Sequence, residues 1–148
     1  MRIRRAIAAD IPAMMLLEQH AATAAHWSAE QYQTACSSKA PSRAVLITED
    51  ETGVQGFIIG RALDEEWEIE NLAIAGPARR KGLGTRLLGE FLDWARSRGA
   101  LSVFLEVRES NLAARRLYEK LGFLEGSRRK RYYCEPDEDA IVFQLKFP

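Results

Sequence analysis

Apolar positions along this chain change their spacing several times, and each change marks an element. Arg2 to Ala6 alternates weakly, which predicts a short first strand. Asp10, with Pro12 close behind, reads as a helix start, and Ile11, Met14, Met15, Leu17 and Glu18 then follow helical spacing. Ser28-Ala29-Glu30-Gln31 matches a capping box, in which the Ser and Gln side chains satisfy each other's backbone donors, so a second helix begins there. The polar stretch from Ser37 to Arg43 reads as a loop. Ala44 to Thr48 favours a strand, Glu49 to Gly53 supplies a turn, and Val54 to Ala62 resumes as a strand, which predicts a hairpin.

From Glu66 the chain alternates acid with apolar, placing Glu66, Glu68 and Glu70 on one strand face and Trp67 with Ile69 on the other. Leu72-Ala73-Ile74 loses the alternation and is expected to be buried on both faces. Gly76 and Pro77 break that strand, and Leu87, Leu88, Phe91, Leu92 and Ala95 share a helical face that Gly99 ends. Ala100 to Val107 reads as a strand, Asn111 to Leu121 as an amphipathic helix and Gly122 as its stop. Two further strands, Phe123 to Cys134 and Ala140 to Phe147, flank the acidic turn from Glu135 to Asp139. The order βααβββαβαββ describes a mixed α/β fold, expected to be one domain over residues 1–148.

Composition adds two constraints. The chain has 148 residues with 47% hydrophobic and 28% charged, enough to bury a core and unlike a disordered segment. Lys and Arg total 21 and Asp and Glu total 21, so no net basic field exists to grip nucleic acid, and any anion site must be local. Cys36 and Cys134 lie far apart and form no ligand cluster with His20 and His26, so no metal site is expected. Arg2, Arg4 and Arg5 precede an apolar run from Ile11 to Leu17 that Asp10 and Pro12 interrupt, which does not make a signal peptide. No stretch approaches the roughly 20 apolar residues of a membrane span, and a soluble, cytoplasmic protein is expected.

The sharpest local feature is Arg79-Arg80-Lys81-Gly82-Leu83-Gly84-Thr85 between a strand and a helix. Glycines there let backbone N–H groups turn inward, the helix presents its positive end, and three cations precede it, so a diphosphate suits the turn. The nucleotide P-loop needs a Lys-Ser or Lys-Thr after the last glycine, and here Lys81 precedes Gly82. The dinucleotide pattern fails because the position three after Gly84 is Leu87. The competing reading is that the glycines serve only the turn and the cations face water.

Arg79-x-x-Gly82-x-Gly84 following Asn71-Leu72-Ala73-Ile74 resembles the acyl-CoA signature of the GNAT superfamily of acetyltransferases, whose fold has the element order read above. The resemblance implies acetyl-CoA as cosubstrate. Its pyrophosphate would lie on the turn from Arg79 to Thr85, including Arg80, Lys81 and Leu83, and its pantetheine arm would run along Leu72, Ala73 and Ile74. Leu105-Glu106-Val107-Arg108-Glu109-Ser110-Asn111, Leu117-Tyr118-Glu119-Lys120-Leu121-Gly122-Phe123, His26-Trp27-Ser28, Arg131-Tyr132-Tyr133 and Asp139-Ala140-Ile141 are similar to the branch that acetylates ribosomal-protein alanine N-termini.

That branch implies Glu106 as general base, Tyr118 as the acid at the departing thiolate and Asn111 as a cofactor contact. The acceptor would be the N-terminal amine of a protein. Such an amine, with a reference pKa of roughly 7.7 to 8.0, is mostly protonated near neutrality and benefits from a base. Glu68 stands where other branches place their base and remains a second candidate. Glu66 and Glu70 either help draw a cationic amine or form a solvated face, and Trp27, Tyr132 and Tyr133 either frame a peptide groove or pack. Other acceptors left open are a lysine side chain, a polyamine or a small metabolite amine; a non-catalytic acyl-CoA-binding module is the rival from another class.

Overall fold

A computed structural model describes residues 1–20, 27–37, 43–76, 82–133 and 138–148, with the side chains of residues 131 and 133 excepted. The elements are β1 (Arg2–Arg5), a 3-10 turn (Ala8–Asp10), α1 (Ile11–Gln19), α2 (Ala29–Ala35), β2 (Arg43–Asp50), β3 (Gly53–Leu63), β4 (Glu66–Ile74), α3 (Leu83–Ser97), β5 (Ser102–Arg108), α4 (Leu112–Lys120), β6 (Leu124–Tyr133) and β7 (Glu138–Lys146). This is the βααβββαβαββ order that the periodicity predicts, with boundaries that move by a few residues. The hairpin turn is tighter than expected, because Asp50 Oδ1 accepts from the Thr52 N–H at 2.8 Å and β3 already starts at Gly53. Glu138 and Asp139, expected in the final acidic turn, belong to β7, and residues 134–137 lie outside the described residues. Asp10 does not cap α1 with its side chain; the carboxylate instead accepts from the Ile7 N–H at 2.8 Å and from both Arg4 Nη atoms at 2.9 Å.

The seven strands form one sheet in the order β1-β2-β3-β4-β5-β7-β6. Only β4 and β5 run parallel, and their pairing is confined to Glu66↔Ser102, Trp67↔Val103 and Glu68↔Phe104. Beyond Glu68 the strands part: β4 continues to Ile74 and β5 to Arg108 with no further register between them.

A second irregularity lies beside this split. Along β3, Ile59 faces Asn71 and Gly60 faces Ile69, so Glu70 is an extra residue in β4. The bulge switches the faces. Trp67 and Ile69 enter the core under α3, whereas Ala73 enters the core under α1 and α2, and Leu72 and Ile74 pack partly against the α3 side. The expectation that Leu72 to Ile74 is buried on both faces is therefore corrected: only Ala73 is buried, and the other two are half-buried along the split.

The α3 core gathers Leu87, Leu88, Phe91 and Ala95 against Ile58, Val103, Leu105 and Phe143. Phe91 meets Trp67 at 6.1 Å and Trp94 at 6.4 Å between ring centroids. The second core joins Ile11, Met14, Tyr32 and Ala35 to Val45, Ile47, Phe57 and Ile59, and contains no residue of β5, β6 or β7. On that side of β5 and β7, Phe104, Glu106, Val142 and Gln144 accordingly stay only half-buried.

Candidate active site

The split opens beside the start of α3. Gly82 is the N-cap of that helix and has φ +78°, a conformation that favours glycine. Gly84 sits where a Cβ would lie 3.3 Å from Leu117 Cδ2 and 3.8 Å from Ile74 Cγ1, so its lack of a side chain lets α3 approach both α4 and the end of β4. Leu83, Gly84 and Thr85 form the first turn, whose N–H groups have no intrahelical acceptors. Arg79, Arg80 and Lys81 lie outside the described residues, as do His26 and Cys134. Leu72, Ala73 and Ile74 pair with β3 on one side and lie beyond the last register of β4 with β5 on the other.

The four carboxylates singled out in the sequence do not form an open acidic surface; each already has a partner. Glu66 Oε2 accepts from Ser102 Oγ at 2.9 Å and Gln144 Nε2 at 3.0 Å, which ties β4 to β5 and β7. The bulge residue Glu70 makes a two-pronged pair with Arg43 at 2.8 and 3.2 Å. Arg61 Nη2 donates to Glu68 Oε1 at 3.0 Å, and Arg129 forms a salt bridge with Glu106, Nε lying 3.1 Å from Oε1. Burial raises the pKa of Glu68 above the usual carboxylate range, and the neighbouring charges of Glu70 and Glu106 push the same way against the opposing pull of Arg61. Glu68 and Glu106 thus feel one another across the mouth of the split, and both are candidate proton acceptors there.

Tyr118 is 6% exposed on α4, with Phe123 at 5.7 Å and Phe143 at 6.2 Å between ring centroids. Asn111 caps α4, its Oδ1 accepting from the Ala114 N–H at 3.2 Å, and leads out of β5 just beyond Glu106. The end of β5 is held by Glu138, which accepts from the Ser110 N–H at 2.9 Å and from Arg108 at 3.2 Å; the Ser110 bond leads in drawing its pKa down. Trp27 lines a cleft of about 330 Å³ with Gln31, Thr34, Arg43 and Glu70, whereas Tyr132 is exposed with Arg129 5.1 Å above its ring. Burial pushes the Cys36 thiol up and away from the thiolate form. Among the described residues no cluster of His, Cys, Asp and Glu could hold a metal ion.

Sequence reasoning missed Arg43, Arg61 and Arg129. Their partners lie 27, 7 and 23 positions away, across strand pairings that no local pattern displays. It also missed the buried group formed by Glu18, Tyr32 and Asn71. Apolar spacing led to Glu18 only as a helix position, and Asn71 only as a motif neighbour.

The sheet parts between its two parallel strands beside a glycine-started helix, an arrangement that can hold an extended anionic ligand. The chain belongs to the acetyltransferase (GNAT) family, whose model matches residues 11–123. It is 36% identical over 139 residues to the [ribosomal protein bS18]-alanine N-acetyltransferase of Escherichia coli K12, covering 92% of this chain and 90% of that one. The crystal structure of the ribosomal-protein-S18-alanine N-acetyltransferase from Escherichia coli superposes with a TM-score of 0.86 at 31% identity, over 98% of this chain and 92% of that one. Ard1 from Thermoplasma volcanium gives 0.89 at 27% identity, over 99% and 97%. The protein is an N-acetyltransferase that uses acetyl-CoA as cosubstrate.

Proposed function

We propose that the chain acetylates the N-terminal α-amine of a protein, with the alanine end of a ribosomal protein as acceptor and the cytoplasm as its place of action. The similarity to the Escherichia coli enzyme across nearly the whole chain supports this acceptor. The single observation that carries the chemistry is the pair Glu68 and Glu106 at the point where β4 and β5 separate, on the side that α1 and α2 leave open over β5 and β7.

Acetyl-CoA supplies an activated acetyl thioester. The main-chain groups of Leu72, Ala73 and Ile74 hold its pantetheine arm. The amides from Gly82 to Thr85, with Arg79, Arg80 and Lys81, hold its phosphates, and Asn111 contacts the pantetheine arm or the phosphates. The ammonium first gives up one proton to solvent, and Glu106, directly or through a water, takes a second as the neutral amine nitrogen bonds to the acetyl carbon. The Tyr118 hydroxyl gives a proton to the thiolate as the carbon–sulfur bond breaks. Glu68 is the alternative base. The pull of Arg129 on Glu106 must give way to the incoming ammonium, an exchange of one cation for another at the same carboxylate.

The test is thiol release from acetyl-CoA with Ala-starting peptides, the same peptides N-blocked, free lysine and spermidine. Turnover confined to free N-termini is expected; equal turnover with N-blocked, lysine-containing peptides refutes the acceptor. Glu106→Gln is expected to lose more turnover than Glu68→Gln, and loss in Glu68→Gln alone transfers the base to Glu68.

A further inference from the structure

Glu18, near the end of α1, is only 4% exposed and has no salt bridge among the described residues. Its carboxyl group draws donors from separate parts of the chain instead. Glu18 Oε1 accepts from the Trp27 N–H at 2.8 Å and from Asn71 Nδ2 at 3.2 Å, and its charge acts on the neighbouring Tyr32 hydroxyl. Asn71 Nδ2 further donates to the Tyr32 hydroxyl oxygen at 3.3 Å. Burial drives the pKa of Tyr32 upward, with the neighbouring Glu18 adding to the effect, so the hydroxyl keeps its proton. A buried carboxyl group is costly unless it is hydrogen-bonded, and these two bonds engage its Oε1.

The donors share a location. Trp27 precedes α2 and lines the cleft beside the bulge, and its ring meets Tyr32 at 5.5 Å and Arg43 at 5.8 Å. Asn71 follows the bulge residue Glu70, which lines the same cleft from the other side. Asn71 is 4% exposed, and its Oδ1 has no partner among the described residues, so its orientation depends on the two bonds that its Nδ2 donates. One oxygen of Glu18 therefore joins the entrance of α2 to the bulged part of β4.

We propose that Glu18 is a positioning residue for the acceptor peptide, setting the spacing between Trp27 and the bulge of β4 so that the cleft between them receives the peptide beyond its reacting amine. This rests on the reading of the protein as an acetyltransferase of protein N-termini. Glu18 touches neither substrate and acts through Trp27 and Asn71.

Steady-state kinetics with an Ala-starting peptide and with acetyl-CoA, each varied in turn, tests it. Glu18→Ala is expected to raise KM for the peptide about tenfold while KM for acetyl-CoA stays within about twofold. Glu18→Gln, which keeps an oxygen for the Trp27 N–H, should recover most of the loss. If Glu18→Ala does not fold, Glu18→Asp withdraws the carboxyl group by one methylene and should show the same split at smaller size. Equal rises in both KM values, or a lowered Tm with peptide KM unchanged, overturn the proposal and leave the acceptor reading intact. A wild-type enzyme inactive on free N-terminal peptides is the different result that removes both.

Discussion

Gly60→Ala tests the packing that places the bulge against α3. A Cβ at this position would lie 2.3 Å from Phe91 Cζ and 2.5 Å from Cε2, against an ordinary carbon–carbon contact of roughly 3.5 to 4.0 Å. The ring must retreat by more than an ångström. It has little room, because Phe91 is fully buried and is flanked by Trp67 and Trp94. Overpacking of a well-filled core costs about 1 to 3 kcal/mol, and rigid aromatic neighbours place this site in the upper part of that range. Replacing a strand glycine returns about 0.5 to 1 kcal/mol of backbone entropy, which leaves a net loss of about 2 kcal/mol. For a chain near 150 residues that lowers Tm by about 4 to 8 °C. Urea unfolding followed by circular dichroism measures the loss. The double variant Gly60→Ala/Phe91→Leu should then be at least about 1 kcal/mol more stable than the sum of the single changes implies, because the smaller side chain accepts the new methyl. Stability within about 0.5 kcal/mol of wild type, or strict additivity in the double variant, refutes the reasoning.

Other expectations follow from the site and its supports. Tyr118→Phe keeps the ring packed on Phe123 and Phe143 and should cost little stability, yet lower kcat about 100-fold if the hydroxyl protonates the thiolate; unchanged kcat in initial-rate assays leaves Tyr118 a packing residue. Arg129→Ala removes a guanidinium whose side chain is 56% exposed, so stability should change by less than about 1 kcal/mol, while KM for the acceptor falls and KM for acetyl-CoA holds; a rise in acceptor KM contradicts the exchange of cations at Glu106. Asp10 has its pKa drawn down, chiefly by Arg4, so its contribution is present above the unfolded carboxylate range and disappears as pH falls through the lower folded-state value. Asp10→Asn should therefore lose about 1 to 3 kcal/mol at pH 7 and converge with wild type in strong acid, as thermal melts across pH will show. Glu68 has the opposite sign: its raised pKa favours the folded state below the unfolded carboxylate range, and that advantage is lost as pH rises through the folded-state value. Glu68→Gln should gain on wild type in Tm from pH 4 toward neutrality, and a flat difference would show that burial does not govern this group.

What could be read from the residues, and what could not, divides by distance along the chain. The Ser28 and Gln31 capping box forms as its spacing demands, with Ser28 N–H to Gln31 Oε1 at 2.7 Å and Gln31 N–H to Ser28 Oγ at 3.2 Å, because its groups lie within one helical turn. The apolar face of α3 and the positive-φ Gly99 and Gly122 were legible for the same reason. The bulge at Glu70 was not, since it is a property of how β4 registers on β3 and leaves no mark in an alternation that continues in burial through Ile74. That hidden register has the larger consequence. It turns Glu70 and Asn71 toward the α1–α2 side together, one to Arg43 and the cleft, the other to Glu18, on a strand whose Leu72 and Ile74 pack partly toward α3. The balance of 21 acidic and 21 basic residues takes its meaning from the same geometry. Arginines from β2, β3 and β6 pair with Glu70, Glu68 and Glu106, so in the proposed mechanism a cationic amine would enter the split by displacing a paired guanidinium and not by descending a long-range negative field. Acceptor binding built on exchange should depend only weakly on ionic strength, and a steep fall in kcat/KM for the peptide between low and physiological salt would show that steering, not exchange, brings the amine in.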